Sequence, residues 1–380
     1  MTRLDVGIVG SGIVGLAHAW SAAERGHRVT LYERTRRAEG ASVRNFGMVW
    51  PIGQPTAERQ EIAVLSRQRW LELSEAAGIW VRGCGSLHLA HRADEWSVLQ
   101  EFAAHPLGAD CQLWTPHEVH ARTPAAHPDG LLGGLYSPLE LCVDPREAVR
   151  RLPQWLADTF DVRLEMEEMV VDLASADGGP ISLRTSSGRR QTFDRVVVCG
   201  GSELRTLFPE VLAAAGLRLC KLQMLRTVPQ PAGWQLGPHL ASGLTLRHYR
   251  NFDVCPSLPA VRERIAREAS ELDQFGIHVM VSQNERGELT LGDSHEYGDV
   301  IEPFDRALIE ELILREIGRV FRFPDPRIAE RWHGTYVRLD EGPWFLAEPL
   351  PGVFVCTGTG GAGMTMSFGL AERTWEQWPR

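Results

Sequence analysis

An α/β fold carrying an antiparallel β insertion is what this chain of 380 residues predicts, and three observations predict it. A strand, a glycine turn, a helix and a second strand open the chain. A near-continuous apolar strand, Arg195–Cys199, ends on Gly200-Gly201 in the middle, as a buried parallel strand does. A second strand–glycine–helix unit, from Gly352 to Trp378, closes it. Between the last two, runs at 218–227, 243–250, 277–283 and 288–291 alternate apolar and polar residues between turns, the pattern of an antiparallel sheet.

The opening unit is a Rossmann-type dinucleotide site. Val6–Val9 is a short apolar strand, and Gly10-Ser11-Gly12-Ile13-Val14-Gly15 follows at once. Ile13 to about Arg25 is an amphipathic helix stopped by Gly26, and Arg28–Tyr32 is a strand ending on Glu33. Gly10 permits the tight turn, Gly12 lets backbone approach a pyrophosphate, and Gly15 lets the helix pack on the sheet. The helix N-terminus offers unpaired N–H groups and partial positive charge to phosphate. Glu33 lies 18 residues after Gly15, near the spacing expected of the acid that binds a ribose hydroxyl. Glycines needed only for packing would not require that acid.

After Glu33 comes a charged, turn-rich piece and a loop of small and polar residues, Gly40–Pro51, suited to passing close to a ligand. Residues 57–77 have helical periodicity, Ser86–Ala90 is strand-like, 94–104 and 116–121 read as helices, and Gly130–Tyr136 as a turn and strand. Asp144-Pro145 starts a helix that runs to about Asp158, with an acid cap and proline at the first helical position. Val162–Glu165 and Met169–Leu173 are strands, and Ile181–Thr185 with Gln191–Phe193 forms a hairpin around Ser187-Gly188. One helix is expected near 259–273 and a strong one at 304–320. Residues 1–82, 143–220 and 330–380 are expected to build a discontinuous cofactor domain, and 83–142 with 221–329 a smaller α+β substrate domain. Both glycine-rich helix N-termini, at opposite ends of the sequence, would then face one cofactor.

A formal net charge of −9 argues against non-specific nucleic-acid binding, which needs a basic face. No apolar run approaches the ~20 residues of a membrane span, and Val6–Val9 is too short for a signal peptide's apolar core. Seven scattered cysteines without a CxxC read as reduced thiols in cytoplasm. His88/His91 and His117/His120 have i,i+3 spacing without further ligands nearby, so they read as surface or capping residues, and no metal site is expected.

An NAD-dependent dehydrogenase would explain the first 33 residues but leave the 40–51 loop and the C-terminal glycine loop unemployed. A disulfide reductase would need a redox cysteine pair. The full pattern resembles the glycine oxidase/D-amino acid oxidase/sarcosine oxidase family of FAD enzymes over the whole chain. Its carriers are the opening glycines with Glu33, Gly40-Ala41-Ser42 through Gly47-Met48, Val196–Gly200, and Gly352–Gly358 leading into Gly360-Gly361-Ala362-Gly363. Within the family, Arg44-Asn45-Phe46-Gly47-Met48-Val49-Trp50-Pro51-Ile52-Gly53 looks like a subgroup associated with aminophosphonate breakdown.

The resemblance implies FAD held without a covalent bond. Gly10, Gly12, Ile13, Val14, Gly15 and Gly200 would surround its pyrophosphate; Glu33, Arg34 and Val170 would serve the adenosine; Ser42 would meet a phosphate. Asn45, Gly47 and Met48 would lie by the isoalloxazine, and Gly360, Gly361, Gly363, Met364 and Thr365 would edge its pyrimidine ring. A cysteine serves sarcosine-oxidase relatives as attachment point; the matching residue is His333, and Cys356 lies inside a buried strand. The implied chemistry is hydride transfer from an amine C–H to the flavin, then imine hydrolysis, with dioxygen or a quinone chain as acceptor. A flavin-binding module without activity, or a tRNA-modifying relative, would be the readings of another class.

The chain departs from the family at the substrate. Glycine oxidase anchors a carboxylate with two arginines, because a planar fork matches a carboxylate bidentately. The corresponding positions here are Tyr336, in Trp332-His333-Gly334-Thr335-Tyr336, and Gly361. Cationic side chains remain in expected pocket segments: Arg44, and Arg247, His248 and Arg250 around Tyr249 on an expected strand, with His295 and His333 as further donors. That set predicts a small amine bearing a phosphonate, N-methyl-2-aminoethylphosphonate or 2-aminoethylphosphonate, oxidised to phosphonoacetaldehyde. The alternative is a glycine- or sarcosine-type amino acid.

Overall fold

The structure is a computed structural model that describes residues 2–175, 179–340 and 342–378. Two large sheets organise it. The first has six strands in the order Phe345–Leu350, Val353–Thr357, Arg195–Val198, Asp5–Val9, Arg28–Glu33, Arg163–Met166. All neighbours pair in parallel except the first two. Its central strands are apolar because helices cover the sheet: Val6, Ile8, Leu31, Val196 and Val197 are fully buried. Helices Ile13–Glu24, Pro145–Phe160 and Gly363–Gln377 contribute Leu16, Ala19, Leu156 and Ala371 to the core they share with it. Asp144 caps the second of these as expected, accepting from the backbone N–H of Arg146 and Glu147 at 3.0 and 3.2 Å.

The expected hairpin is present within a three-stranded antiparallel sheet, Val170–Ser175, Ile181–Thr185 and Arg190–Phe193. A small sheet of Met48–Val49, Leu141–Val143 and Val81–Gly83 ties the loop after residue 40 to the helix at 145.

The second large sheet has nine strands. Its path is Glu296–Gly298, Leu217–Thr227, Leu289–Gly292, Met280–Gln283, His239–Ala241, Ser86–Ala90, Gly133–Ser137, Gln112–Trp114, and Ile328–Leu339 also pairs along Leu217–Thr227. The last of these is a twelve-residue strand that straddles the boundary expected at residue 330. Its start, Ile-Ala-Glu-Arg, is largely exposed and charged, so it lacks the apolar alternation that marks a strand in sequence.

Two expectations are corrected. Residues 243–250 are not a strand but parts of two 3₁₀ turns, Gly243–Arg247 and Arg250–Val254. The Thr245 carbonyl accepts from the His248 N–H at 3.0 Å, an i,i+3 bond that closes a turn and that a strand does not make. His88 is not at the surface: it is fully buried against Trp50 and Phe252, and burial pushes its pKa down to about 3. All seven cysteines are free. Among the described residues no helix is long and apolar enough to cross a membrane.

Candidate active site

A cavity of about 830 Å³ runs between the two large sheets, lined at one end by Glu33, Arg34 and Val170 and at the other by Tyr336, His295 and Tyr249. Both glycine-rich turns line it, so the chain's two ends meet at one site.

The first turn is shaped for close approach. Gly10 has φ +100°, and a Cβ there would lie 2.4 Å from the Cys199 carbonyl oxygen. A Cβ on Gly15 would lie 1.9 Å from the Gly10 carbonyl oxygen. The Ser42 hydroxyl accepts from the Ile13 N–H at 2.9 Å, which binds the 40–47 loop to the helix start. Asn45 holds that loop in shape, its amide donating to the Ala41 and Ser42 carbonyls and its carbonyl accepting from the Gly47 N–H. The Glu33 carboxylate, buried at the end of its strand, accepts from the N–H and hydroxyl of both Ser11 and Thr35. Arg34 pairs with Glu203 at 3.2 Å on the cavity rim. At the second turn the Thr365 hydroxyl accepts from the Trp50 N–H at 2.9 Å, joining the closing helix to the first loop.

Gly10, Gly12, Ile13, Val14, Gly15, Glu33, Arg34, Ser42, Arg44, Asn45, Met48, Val170, Gly200, Arg247, His248, Tyr249, Arg250, His295, Tyr336, Gly360, Gly361, Gly363, Met364 and Thr365 all line this one cavity. Two expected residues do not. Gly47 supplies a positive-φ turn, where a Cβ would meet the Val143 carbonyl oxygen at 2.1 Å. His333 lies off the cavity, its Nδ1 2.9 Å from Asp305, because its strand turns that position to the opposite face from Gly334 and Tyr336. That placement removes His333 as a flavin attachment point and as an anion ligand. Arg247 is in the cavity wall but is spent on the fold, donating to Asp273 and to the Leu244 and Ile277 carbonyls. Arg250 pairs with Asp253 at 3.6 Å at the exposed rim.

Sequence reasoning missed Arg338, His278, Asp293 and Tyr297, all cavity-lining. Arg338 could have been found by counting two on from Tyr336, had the long strand been recognised. Its guanidinium donates to the Tyr297 hydroxyl at 3.2 Å, and among the described residues neither Arg338 nor Arg44 has a carboxylate partner. The Tyr336 hydroxyl lies 3.9 Å from where a Gly361 Cβ would be, so the two positions expected to correspond to a carboxylate-binding arginine adjoin. Burial, then the neighbouring Cys220 and Tyr297, push the Tyr336 phenol well above its usual range, so it stays a neutral O–H donor. Cys356 also lines the cavity, and burial pushes its thiol up to about 12, a poor nucleophile.

A cavity with two glycine turns, two helix N-termini and a buried acid at a strand end fits a flavin dinucleotide. Its ribose would reach Glu33 and its phosphates the amides at Gly12–Val14. A Glu33→Ala variant is expected to lose about 1.5–3 kcal/mol of cofactor affinity, roughly ten- to a hundredfold, with substrate preference unchanged. FAD titration of stripped protein, followed by flavin fluorescence, measures it; normal retention with altered preference would contradict the role.

Comparison with known proteins agrees with this geometry. Among curated proteins, the tRNA 5-methylaminomethyl-2-thiouridine biosynthesis bifunctional protein of Shewanella pealeana is 26% identical over 282 residues, 67% of this chain and 43% of its own. The glycine oxidase of Geobacillus kaustophilus is 27% identical over 212 residues, 53% of this chain and 55% of its own. The chain thus spans about half the length of the curated relatives it matches. In fold, the glycine oxidase structure from Bacillus cereus superposes with a TM-score of 0.77 at 18% identity, covering 98% of this chain and 93% of that one. With residues 5–377 matched by the family described as FAD dependent oxidoreductase, the chain belongs to that family and FAD is its cofactor.

Proposed function

We propose that this FAD-dependent oxidoreductase oxidises a small amine bearing a phosphonate, with N-methyl-2-aminoethylphosphonate or 2-aminoethylphosphonate as substrate and phosphonoacetaldehyde as product. The observation that carries the reading is the cavity end built by Tyr336, Gly361 and Arg338. The two residues that would grip an amino-acid carboxylate are a tyrosine and a glycine. The Arg338 guanidinium, without a carboxylate partner among the described residues, stands two residues along the same strand face.

When bound, FAD supplies the acceptor for a hydride from the amine's α carbon. The chain's own residues bind and orient. Arg338 and Arg44 oppose a doubly charged tetrahedral anion from two elements, and the Tyr336 O–H donates to one of its oxygens. Met48, Phe46 and Trp50 wall the cavity with apolar surface and limit water at the reacting carbon. The amides that start helix Gly363–Gln377 would hold the cofactor's pyrimidine side and supply partial positive charge to an anionic form of it. No residue need act as acid or base if the amine arrives neutral, and hydrolysis of the imine follows in water. Dioxygen or another electron acceptor then reoxidises the enzyme. We further propose the division of labour expected from the sequence, a cofactor domain from segments 1–82, 143–220 and 330–380 and a substrate domain from 83–142 and 221–329.

A glycine- or sarcosine-type amino acid is the second reading, favoured by the similarity to glycine oxidases and opposed by the residues at 336 and 361. Anaerobic addition of N-methyl-2-aminoethylphosphonate to the yellow protein separates an enzyme from an inactive flavin carrier. Bleaching of the flavin within the mixing and turnover time is the expected result. A flavin that stays oxidised with every aminophosphonate and every amino acid would leave only binding.

A further inference from the structure

We propose that His248, His278 and His295 form a binding site for a divalent transition-metal ion of the Zn²⁺ class, with Asp293 beside them, on the antiparallel-sheet wall of the cavity. Nothing in their sequence spacing, 30 and 17 residues, announces it. The fold brings one ring nitrogen of each within 4.8 Å of the others. The ring centroids of His248 lie 4.0 Å from His278 and 4.2 Å from His295. Ligand nitrogens around tetrahedral zinc stand about 3.3 Å apart, so closure needs side-chain shifts on the order of 1 Å.

The donors are held as a metal site holds them. The Gly276 carbonyl accepts from His295 Nδ1 at 3.2 Å, which fixes that proton and leaves the Nε2 lone pair free. His278 and Asp293 exchange both backbone hydrogen bonds, at 3.2 and 2.8 Å, and the His295 N–H donates to the Phe275 carbonyl. Their backbones are therefore rigid. His278 and Asp293 are almost fully buried, 2% and 4% exposed, yet carry ring nitrogens and a carboxylate oxygen without hydrogen-bond partners. Neither ring nitrogen of His278 has a hydrogen-bond partner, and its Nε2 lies 3.1 Å from Asp293 Oδ1 without bonding geometry. Buried polar atoms left unpaired are costly, and a shared cation would satisfy them together.

The electrostatics agree. Burial, reinforced by neighbouring positive groups, pushes all three imidazoles down, His295 to about 4, so each is the neutral form that ligates metal. Asp293 Oδ1, buried without a hydrogen-bond partner, stands 3.1 Å from His278 Nε2 and offers an oxygen to the same ion. The cations facing the cluster are Arg247, which donates to Asp273 and two carbonyls, and Arg338, which donates to the Tyr297 hydroxyl. Tyr249, Tyr297 and Tyr336 are neutral phenols there, each with its pKa raised. His248 is partly exposed and lines the cavity, which gives an ion its way in.

The test uses tag-free holoenzyme equilibrated with Co²⁺ and desalted. Roughly one cobalt per flavin should remain, with d–d absorption at wavelengths beyond the oxidised flavin band. X-ray absorption on the same sample should show imidazole nitrogens at about 2.0–2.1 Å. His278→Ala and His295→Ala should retain FAD but bind Co²⁺ at least about a hundredfold more weakly. Should either lose its flavin through misfolding, His278→Gln and the wild-type absorption edge decide. Wild-type protein that holds no stoichiometric cobalt, a ligand shell of oxygen alone, or variants that bind as well as wild type would overturn the site. So would inorganic phosphate binding lost in the same variants without any metal, which would assign the cluster to an anion.

Discussion

Gly15→Ala is expected to leave the chain without its cofactor. The added Cβ would lie 1.9 Å from the Gly10 carbonyl oxygen, a backbone atom that cannot rotate away. Relief requires the first turn to move, and that turn carries the Gly12 backbone and the helix start that would meet the pyrophosphate. Overpacking of this kind costs about 1–3 kcal/mol or more, and here the strain falls on the binding geometry itself. FAD retention should therefore drop at least about a hundredfold, read as flavin absorbance per chain after gel filtration. Gly12→Ala is the contrast: its Cβ would meet only the Ser42 hydroxyl, at 3.1 Å, so the fold should tolerate it and the loss should lie in cofactor affinity alone. A Gly15→Ala protein with full flavin content would contradict the packing role assigned to that glycine.

Arg338→Ala is expected to cost the enzyme its anionic substrate. Truncating one partner of a desolvated charge pair costs about 2–5 kcal/mol, so kcat/KM for an aminophosphonate should fall on the order of thirtyfold to several thousandfold. Most of the change should appear in KM, because the anion is held equally before and during hydride loss. Arg338→Lys should recover part of it, since a point charge without the fork meets fewer oxygens. Because Arg338 sits beside Thr359 and Gly360, flavin content must be measured in parallel. An unchanged KM in a fully flavinated variant would remove Arg338 as the anchor.

Much of this site was legible in the residues because its makers are local. A glycine turn between a strand and a helix, and an acid at the next strand's end, are short patterns with one physical explanation. The C-terminal turn was equally plain, and both ends do meet in one cavity. The substrate end was not legible, because tertiary contacts build it. Residues 243–250 alternate Leu244 and Leu246 in a way that suits a strand, yet the Thr245 carbonyl accepts from the His248 N–H and closes a tight turn. Arg338 was hidden because its strand begins with exposed Glu330 and Arg331. His333 was expected in the pocket from its place in a motif, but strand alternation sends it to Asp305. His278 carries no local sign of its neighbours, since it meets His248 and Asp293 only through the fold.

The most direct test of the substrate assignment compares kcat/KM across two sets with one purified protein. One set holds N-methyl-2-aminoethylphosphonate and 2-aminoethylphosphonate, the other sarcosine and glycine. Peroxide release reports turnover with dioxygen, and dye reduction reports it if another acceptor serves. At least one aminophosphonate is expected to exceed both amino acids by on the order of a hundredfold, the worth of one charge-assisted anchor. Sarcosine or glycine turning over far faster than either aminophosphonate would contradict it, and would mean that Tyr336 or another group grips a carboxylate.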